Sequence, residues 1–222
     1  MEIDNIDDLV NQIKIIILGD MSVGKTSILT KYCKNIFTNN NLCTIGVDCY
    51  NMHLKHNDEY YSVNLWDTSG QEKYRSISKN YLKNIEGVII VYDISSESSF
   101  KNLNYWVDFL LKENYIIPII IVGNKLDLNS DKRKVSSQSG IDLSKKINTR
   151  LLSNIINYDD SNNLVLCNFV ESSAKTGQNI AEIFQILITS IVECNINILS
   201  SSKINLKIDK KNSENKEKKQ WC

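Results

Sequence analysis

Gly19-Asp20-Met21-Ser22-Val23-Gly24-Lys25-Thr26 sets two glycines around four residues and follows the second with a lysine and a hydroxyl. A loop of this kind between a strand and a helix turns successive backbone N–H groups toward an anion, and the positive end of the helix dipole reinforces them. Gly24 allows close backbone approach, Lys25 can reach the outer phosphates of a nucleotide, and Thr26 can offer a hydroxyl to Mg²⁺. Trp66-Asp67-Thr68-Ser69-Gly70-Gln71-Glu72 follows, with Asp67 at the end of a strand-like run. One carboxylate suits Mg²⁺, which takes few carboxylates beside waters and phosphate oxygens. Next comes Asn124-Lys125-Leu126-Asp127 after an apolar run, and then Ser172-Ser173-Ala174-Lys175. The Asp127 carboxylate can accept from the ring N–H and exocyclic amine of guanine. Adenine offers neither donor there, and such sites reject the wrong base by up to ~10⁴–10⁵. In this order the four motifs describe a guanine nucleotide pocket.

The elements needed to hold these residues are legible between them. Ile13–Leu18 reads as a buried strand feeding the first loop, with a helix from near Lys25 toward Asn35. Cys49–Lys55 and Tyr60–Trp66, separated by His56-Asn57-Asp58-Glu59, read as a hairpin. Gly87–Tyr92 and Ile116–Val122 are nearly all apolar, as strands covered on both faces are. Phe100, Leu103, Val107, Leu110 and Leu111 share one helical face, Leu164–Val170 is a further strand, and Ile180, Ile183, Phe184, Leu187 and Ile191 mark a last helix. The alternation implies an α/β fold: a mostly parallel six-stranded sheet with one antiparallel edge strand and helices on both faces.

The chain has 222 residues, enough for one domain with a full core. Hydrophobic and charged contents of 42% and 23% are those of an ordinary globular protein. Formal net charge is zero, yet the ends differ. Glu2, Asp4, Asp7 and Asp8 make the start acidic, while Lys203, Lys207, Lys210, Lys211, Lys216, Lys218 and Lys219 make the end basic. That basicity is local, so nucleic acid is not an expected partner. The organisation expected is an acidic extension over 1–12, a domain over 13–195 and an unstructured basic tail over 196–222. Asn148–Asn163, rich in Asn, Ser and Asp, reads as a surface insertion. No signal peptide and no apolar run near the ~18 residues that span a bilayer are evident. The cysteines lack metal-ligand spacing, and His53 and His56 read as solvated, so a cytosolic protein with reduced thiols is expected.

From about Lys14 to Ile191 the chain resembles the small GTPases of the Ras superfamily, and most of all the Rab branch. The resemblance rests on the four motifs and on Thr44-Ile45-Gly46-Val47-Asp48, Trp66, Lys73-Tyr74-Arg75-Ser76-Ile77, Val91-Tyr92-Asp93 and Lys132-Arg133-Lys134-Val135 with Gly140. It implies the P-loop GTPase fold, GTP/GDP and Mg²⁺ as ligands, and hydrolysis of GTP in a switch for vesicle traffic. Asp20, Met21, Ser22, Val23, Gly24, Lys25, Thr26 and Ser27 would hold the phosphates. Phe37 would lean on the base, and Asn124, Lys125, Asp127, Ser173, Ala174 and Lys175 would complete its pocket. Thr26, Thr44 and Asp67 would serve the metal. Thr44 and Gly70 would sense the γ-phosphate, Gln71 would orient the attacking water, and Lys25, Thr44 and Gln71 would form the catalytic set. From residue physics alone Thr44 is an ordinary loop residue. The resemblance also implies a monomer served by a GTPase-activating protein, a guanine nucleotide exchange factor, a GDP dissociation inhibitor-type chaperone and effectors. Geranylgeranylation of Cys222, aided by the tail lysines, would attach it reversibly to the cytosolic face of an organelle or vesicle membrane.

Departures from the Rab pattern also bear on function. Cys49 stands where an aromatic is usual, beside Trp66 and Tyr81. Met21 and Ser22 add bulk near the γ-phosphate position, Ser69 replaces the usual Ala, and Cys222 is single and outside the C-a-a-X rule. Met21 and Cys49 motivate a second reading, a nucleotide-binding scaffold with little hydrolysis. A P-loop ATPase or small-molecule kinase is a third, opposed by Asn124 and Asp127. The nearest relative reading, a Ran-like transport GTPase, is opposed by the basic tail ending in cysteine.

Overall fold

A computed structural model describes residues 11–38, 48–68, 81–155 and 164–200, with side chains through 195. Six strands form one sheet: β1 (Asn11–Gly19), β2 (Asp48–His56), β3 (Glu59–Asp67), β4 (Gly87–Asp93), β5 (Ile119–Asn124) and β6 (Cys167–Glu171). The helices are α1 (Lys25–Lys34), α2 (Glu97–Lys101), α3 (Leu103–Lys112), α4 (Ser137–Leu152) and α5 (Ile180–Ser200). Strand order is β2-β3-β1-β4-β5-β6, and only the edge strand β2 runs antiparallel to its neighbour. The expected fold class is the one observed.

The pattern of β1 explains the layering. Ile13, Ile15 and Ile17 pack on the side of Ile28 and Leu29 of α1 and Phe184 and Leu187 of α5. Ile16 and Leu18 face Val107 and Leu110 of α3 and Ile147 of α4. A strand buried on both faces has no polar side to show, so β4, β5 and the Ile15–Leu18 part of β1 are nearly all apolar. Sequential parallel register then brings the ends of five strands to one edge, with Ile17 opposite Asp67, Gly19 opposite Val91, Asp93 opposite Asn124 and Gly123 opposite Glu171. Open α/β sheets bind ligands along such a carboxyl edge, at the point where strand order reverses. Here that point is beside β1.

Local structure departs from the sequence reading in several places, including β5 and β6, which start at Ile119 and Cys167 rather than at Ile116 and Leu164. The apolar face from Phe100 to Leu111 divides between α2 and α3 at Asn102, whose amide bonds back to Ser98 and Phe100 carbonyls and tightens the turn. The hairpin strands run to His56 and from Glu59, because Asn57 and Asp58 both take positive φ (47° and 65°) and make the whole turn. The Asn-rich stretch expected to start as an insertion at Asn148 instead starts inside α4, which continues to Leu152. Its inward face of Gly140, Ser144, Ile147 and Leu151 includes two small residues, which hid the helical period from hydropathy. Asn148 is tied to the sheet, accepting from the Leu166 and Cys167 amides at 2.7 and 3.0 Å. Residues 156–163 lie outside the described set. At the ends, β1 begins at Asn11 and α5 continues to Ser200, beyond both edges expected for the domain. Among the described residues no helix is long and apolar enough to cross a membrane.

Candidate functional site

The first loop leaves β1 at Gly19, where φ is +139° and a Cβ would come within 2.3 Å of the Val91 carbonyl oxygen. It enters α1 after Gly24 (φ +100°), where a Cβ would lie 2.2 Å from Asn124 Nδ2. Glycine is required twice, once to leave the sheet and once to let another loop approach. Ser22 between them also has positive φ, 65°. Lys25 is 2 % exposed, and its ammonium donates to the Gly19 and Asp20 carbonyls at 2.9 and 2.6 Å, closing the loop on itself. Thr26 and Ser27 occupy the first turn of α1, half-buried, where the helix dipole favours negative charge.

Asp67 ends β3 fully buried, and the next residue, Thr68, stitches β3 to β1 by donating to the Ile17 carbonyl at 2.7 Å. The donor set available here is a hydroxyl in α1 and one carboxylate on the adjacent strand. That set suits a hard cation with few protein ligands. Phe37 is half-buried against the layer of α1 and α5. Thr44, Gly70, Gln71 and Cys222 lie outside the described residues.

The other half is built from the ends of β5 and β6. Asn124 is 2 % exposed and bridges two loops: Nδ2 donates to the Val23 carbonyl at 2.8 Å, and Oδ1 accepts from the Ala174 amide at 3.1 Å. Lys125 takes φ +72°, which turns the chain out of the sheet. Its ammonium lies 2.6 Å from Asp93 Oδ2 at the end of β4. Burial pushes the Asp93 carboxyl up, but Lys125 and the hydroxyl and amide of Ser95 outweigh it, and the group ends below the ordinary carboxylate range. Asp127 is held by the Ser173 hydroxyl at 2.6 Å and faces Lys175 at 3.8 Å. The Thr176 amide donates to the same Ser173 oxygen, so that hydroxyl is fixed from both sides. The structure thus brings the Gly19–Thr26 loop, Asn124, Asp127 and Ser173–Lys175 to one edge of the sheet.

A sequence model of the Ras family matches residues 14–193. The chain belongs to the Ras family. It is 36% identical over 188 residues to a Ras and EF-hand domain-containing protein homolog of Mus musculus, covering 81% of this chain and 27% of that protein. It is 38% identical over 170 residues to the Ras and EF-hand domain-containing protein of Xenopus tropicalis, covering 76% of this chain and 22% of that one. The chain therefore spans about a quarter of the length of these curated relatives. Ras-family GTPases in general bind guanine nucleotides with Mg²⁺.

Several side-chain contacts around this edge of the sheet were silent in the sequence. Asn102 donates to the Asp20 carboxylate at 2.7 Å across 82 positions, and no spacing rule anticipates it. Arg133 meets Glu171 through two bonds of 2.6 and 3.1 Å, pinning the end of β6. The Trp66 and Tyr81 rings do meet, with centroids 6.0 Å apart, and Cys49 lies opposite Trp66 on exposed β2. Lys14 covers the Trp66 ring from 4.4 Å.

Proposed function

We propose that this chain is a guanine-nucleotide switch of the Rab type, which hydrolyses GTP to GDP and phosphate and directs vesicle traffic through its effectors. The observation that supports the nucleotide-binding part of this reading is Asn124, one buried side chain that holds Val23 of the Gly19–Thr26 loop and Ala174 of the Ser172–Lys175 loop together; the Rab type and vesicle traffic rest on the sequence resemblance. That bond pair gives a triphosphate end and a purine end one fixed separation, and Asp127, oriented by Ser173, supplies the acceptors that select guanine. In this reading Asp20 to Ser27, Phe37, Gly70, Asn124, Lys125, Asp127 and Ser173 to Lys175 line the nucleotide. Thr26, Thr44 and Asp67 hold Mg²⁺, which when bound neutralises charge on the phosphates. Lys25 stabilises the outer phosphates, and Gln71 orients water.

Phosphoryl transfer depends on positioning and charge stabilisation. Of the three arginines, Arg133 is engaged by Glu171 and Arg150 by Asp108. Arg75 lies outside the described residues. No arginine stands in the Thr38–Thr44 stretch, where a built-in arginine finger would sit, so we expect unaided turnover on the order of 10⁻⁴–10⁻³ s⁻¹, with a GTPase-activating protein supplying the missing charge. An exchange factor, a dissociation inhibitor-type chaperone and effectors at the switch segments complete the cycle. A prenyl chain on Cys222, beside the tail lysines, would give reversible attachment to a cytosolic membrane face.

Single-turnover hydrolysis of bound GTP, with and without Gln71→Leu, tests the reading. Slow wild-type turnover that the substitution abolishes supports it, and turnover near 1 s⁻¹ unaided contradicts it. A second reading, a scaffold with little hydrolysis, is favoured by Met21, 54 % exposed on the phosphate loop, and by the positive φ of Ser22. It predicts no hydrolysis even when a GTPase-activating protein is added. Intact-mass analysis of the native protein and membrane partition of Cys222→Ser test the anchor.

A further inference from the structure

One short stretch, from the end of β4 to the junction of α2 and α3, reaches both halves of the pocket. At its first residue, Asp93 accepts from Lys125 at 2.6 Å, and its other carboxylate oxygen accepts from the Ser95 amide and hydroxyl at 2.8 and 2.6 Å. At its last, Asn102 Nδ2 donates to Asp20 Oδ2 at 2.7 Å. The part between is internally braced. Ser96 caps α2 by accepting from the Ser99 amide, and the buried Ser99 hydroxyl accepts from the Asp93 amide and donates to the Ser96 carbonyl. Ile94 bonds Asn124 of β5 through its amide at 3.1 Å. The stretch is therefore a bracket with one hand on each loop.

The hand on Asp20 answers a physical problem. Asp20 puts a negative charge in a loop whose amides and Lys25 are arranged for anions, so a carboxylate free to swing would compete with phosphate. The Asn102 amide satisfies that carboxylate and holds it to the side of α3. The hand on Lys125 answers another. Lys125 has left-handed backbone, and the ion pair ties its side chain to the end of the neighbouring strand β4.

We infer that Asn102 and Asp93 are positioning residues, Asn102 for the phosphate loop through Asp20 and Asp93 for the base loop through Lys125, so that nucleotide release is set from this bracket. The inference rests on the nucleotide-binding reading above. The test uses the full chain loaded with fluorescent GDP in the presence of Mg²⁺ and reads the release rate. Asn102→Asp sets two carboxylates against each other while keeping a residue that suits the start of a helix, so α3 is retained. Release is expected to rise about ten- to a hundredfold, the range of one hydrogen bond to a charged group. Adding Asp20→Asn restores a donor–acceptor pair with the roles exchanged, and the double variant is expected to return to within about threefold of wild type. Asn102→Ser, too short to reach Asp20, checks the direction in a second variant. At the other end, Asp93→Asn is expected to raise release of GDP and of inosine diphosphate by the same factor, because Asp127 still reads the base. Unchanged release in Asn102→Asp and Asn102→Ser, or a double variant no slower than Asn102→Asp, overturns the role of Asn102. Unchanged release in Asp93→Asn overturns that of Asp93. A wild-type chain that takes up no GDP defeats the proposed function instead, which keeps the two failures apart.

Discussion

Replacing Asn124 with alanine removes one side chain and breaks two loops apart. Its amide and carbonyl serve the Val23 carbonyl and the Ala174 amide, both belonging to residues no more than 3 % exposed. Alanine leaves both backbone groups buried without those partners, at about 1–3 kcal/mol each. A loss of roughly 2–6 kcal/mol follows, a large share of the 5–15 kcal/mol typical of a domain. For a chain of this size, at about 2–4 °C per kcal/mol, that corresponds to a fall in Tm of roughly 4–24 °C. Asn124→Asp separates lost hydrogen bonding from lost volume. It keeps an acceptor for Ala174 but turns a carboxylate oxygen onto the Val23 carbonyl, so it should be at least as damaging despite its equal size. Gln138→Ala, which removes only an exposed bond to Asp142 on α4, is the control and should stay within ~0.5 kcal/mol of wild type. Urea unfolding with retention of bound nucleotide is the assay. If Asn124→Ala lies within about 1 kcal/mol of wild type and retains nucleotide, the bridge between the loops does not have the importance given to it here.

Three further outcomes are expected. Gly24→Ala combines a φ of +100° with a Cβ 2.2 Å from Asn124 Nδ2, so it should lose about 1–3 kcal/mol from backbone strain alone and most of its nucleotide retention; normal retention in a purified sample would contradict the close approach. The depressed Asp93 carboxyl has a folded pKa below its unfolded value near ~3.9, so its stabilisation is complete above that value and disappears as pH falls through the folded one. The stability gap between wild type and Asp93→Asn should hold steady from pH 7 to 5 and close below about pH 4; a gap that widens in acid has the wrong sign. Burial pushes the Cys167 thiol up to about 12 and Cys194 to about 11, whereas Cys49 is exposed. Maleimide labelling with peptide mapping should therefore mark Cys49 in the native protein and reach Cys167 and Cys194 only on unfolding.

The parts of this fold visible in the sequence are those with a one-dimensional signature. β4, β5 and the second half of β1 are apolar on both faces because helices cover both, and each strand ends at a residue suited to chemistry: Asp93, Asn124 and Gly19. The loop motifs were readable for a different reason: each carries fixed residue types at fixed spacing, and the four occur in one order, which ordinary turns after strands do not require. α4 was partly hidden because Gly140 and Ser144 face the sheet where large residues would normally mark a helix. At Gly140 a Cβ would fall 2.3 Å from the Phe169 ring, so smallness there is packing rather than polarity. Asn148 looked like loop composition but serves the start of β6. The bracket from Asp93 to Asn102 was invisible for a different reason. Its two bonds join residues brought together only by sheet order, and an Asn at a helix junction has many ordinary explanations.

In the proposed function the Asp127 carboxylate, fixed by the Ser173 hydroxyl, makes the site specific for guanine. The most direct measurement is competition for the Mg²⁺-containing protein between labelled GDP and unlabelled GDP, GTP, ADP or ATP. Guanine nucleotides should displace the label at equimolar levels, while adenine nucleotides should fail even at ~10⁴-fold excess. Displacement by ATP at concentrations comparable with GTP, or no uptake of either base, would contradict the account.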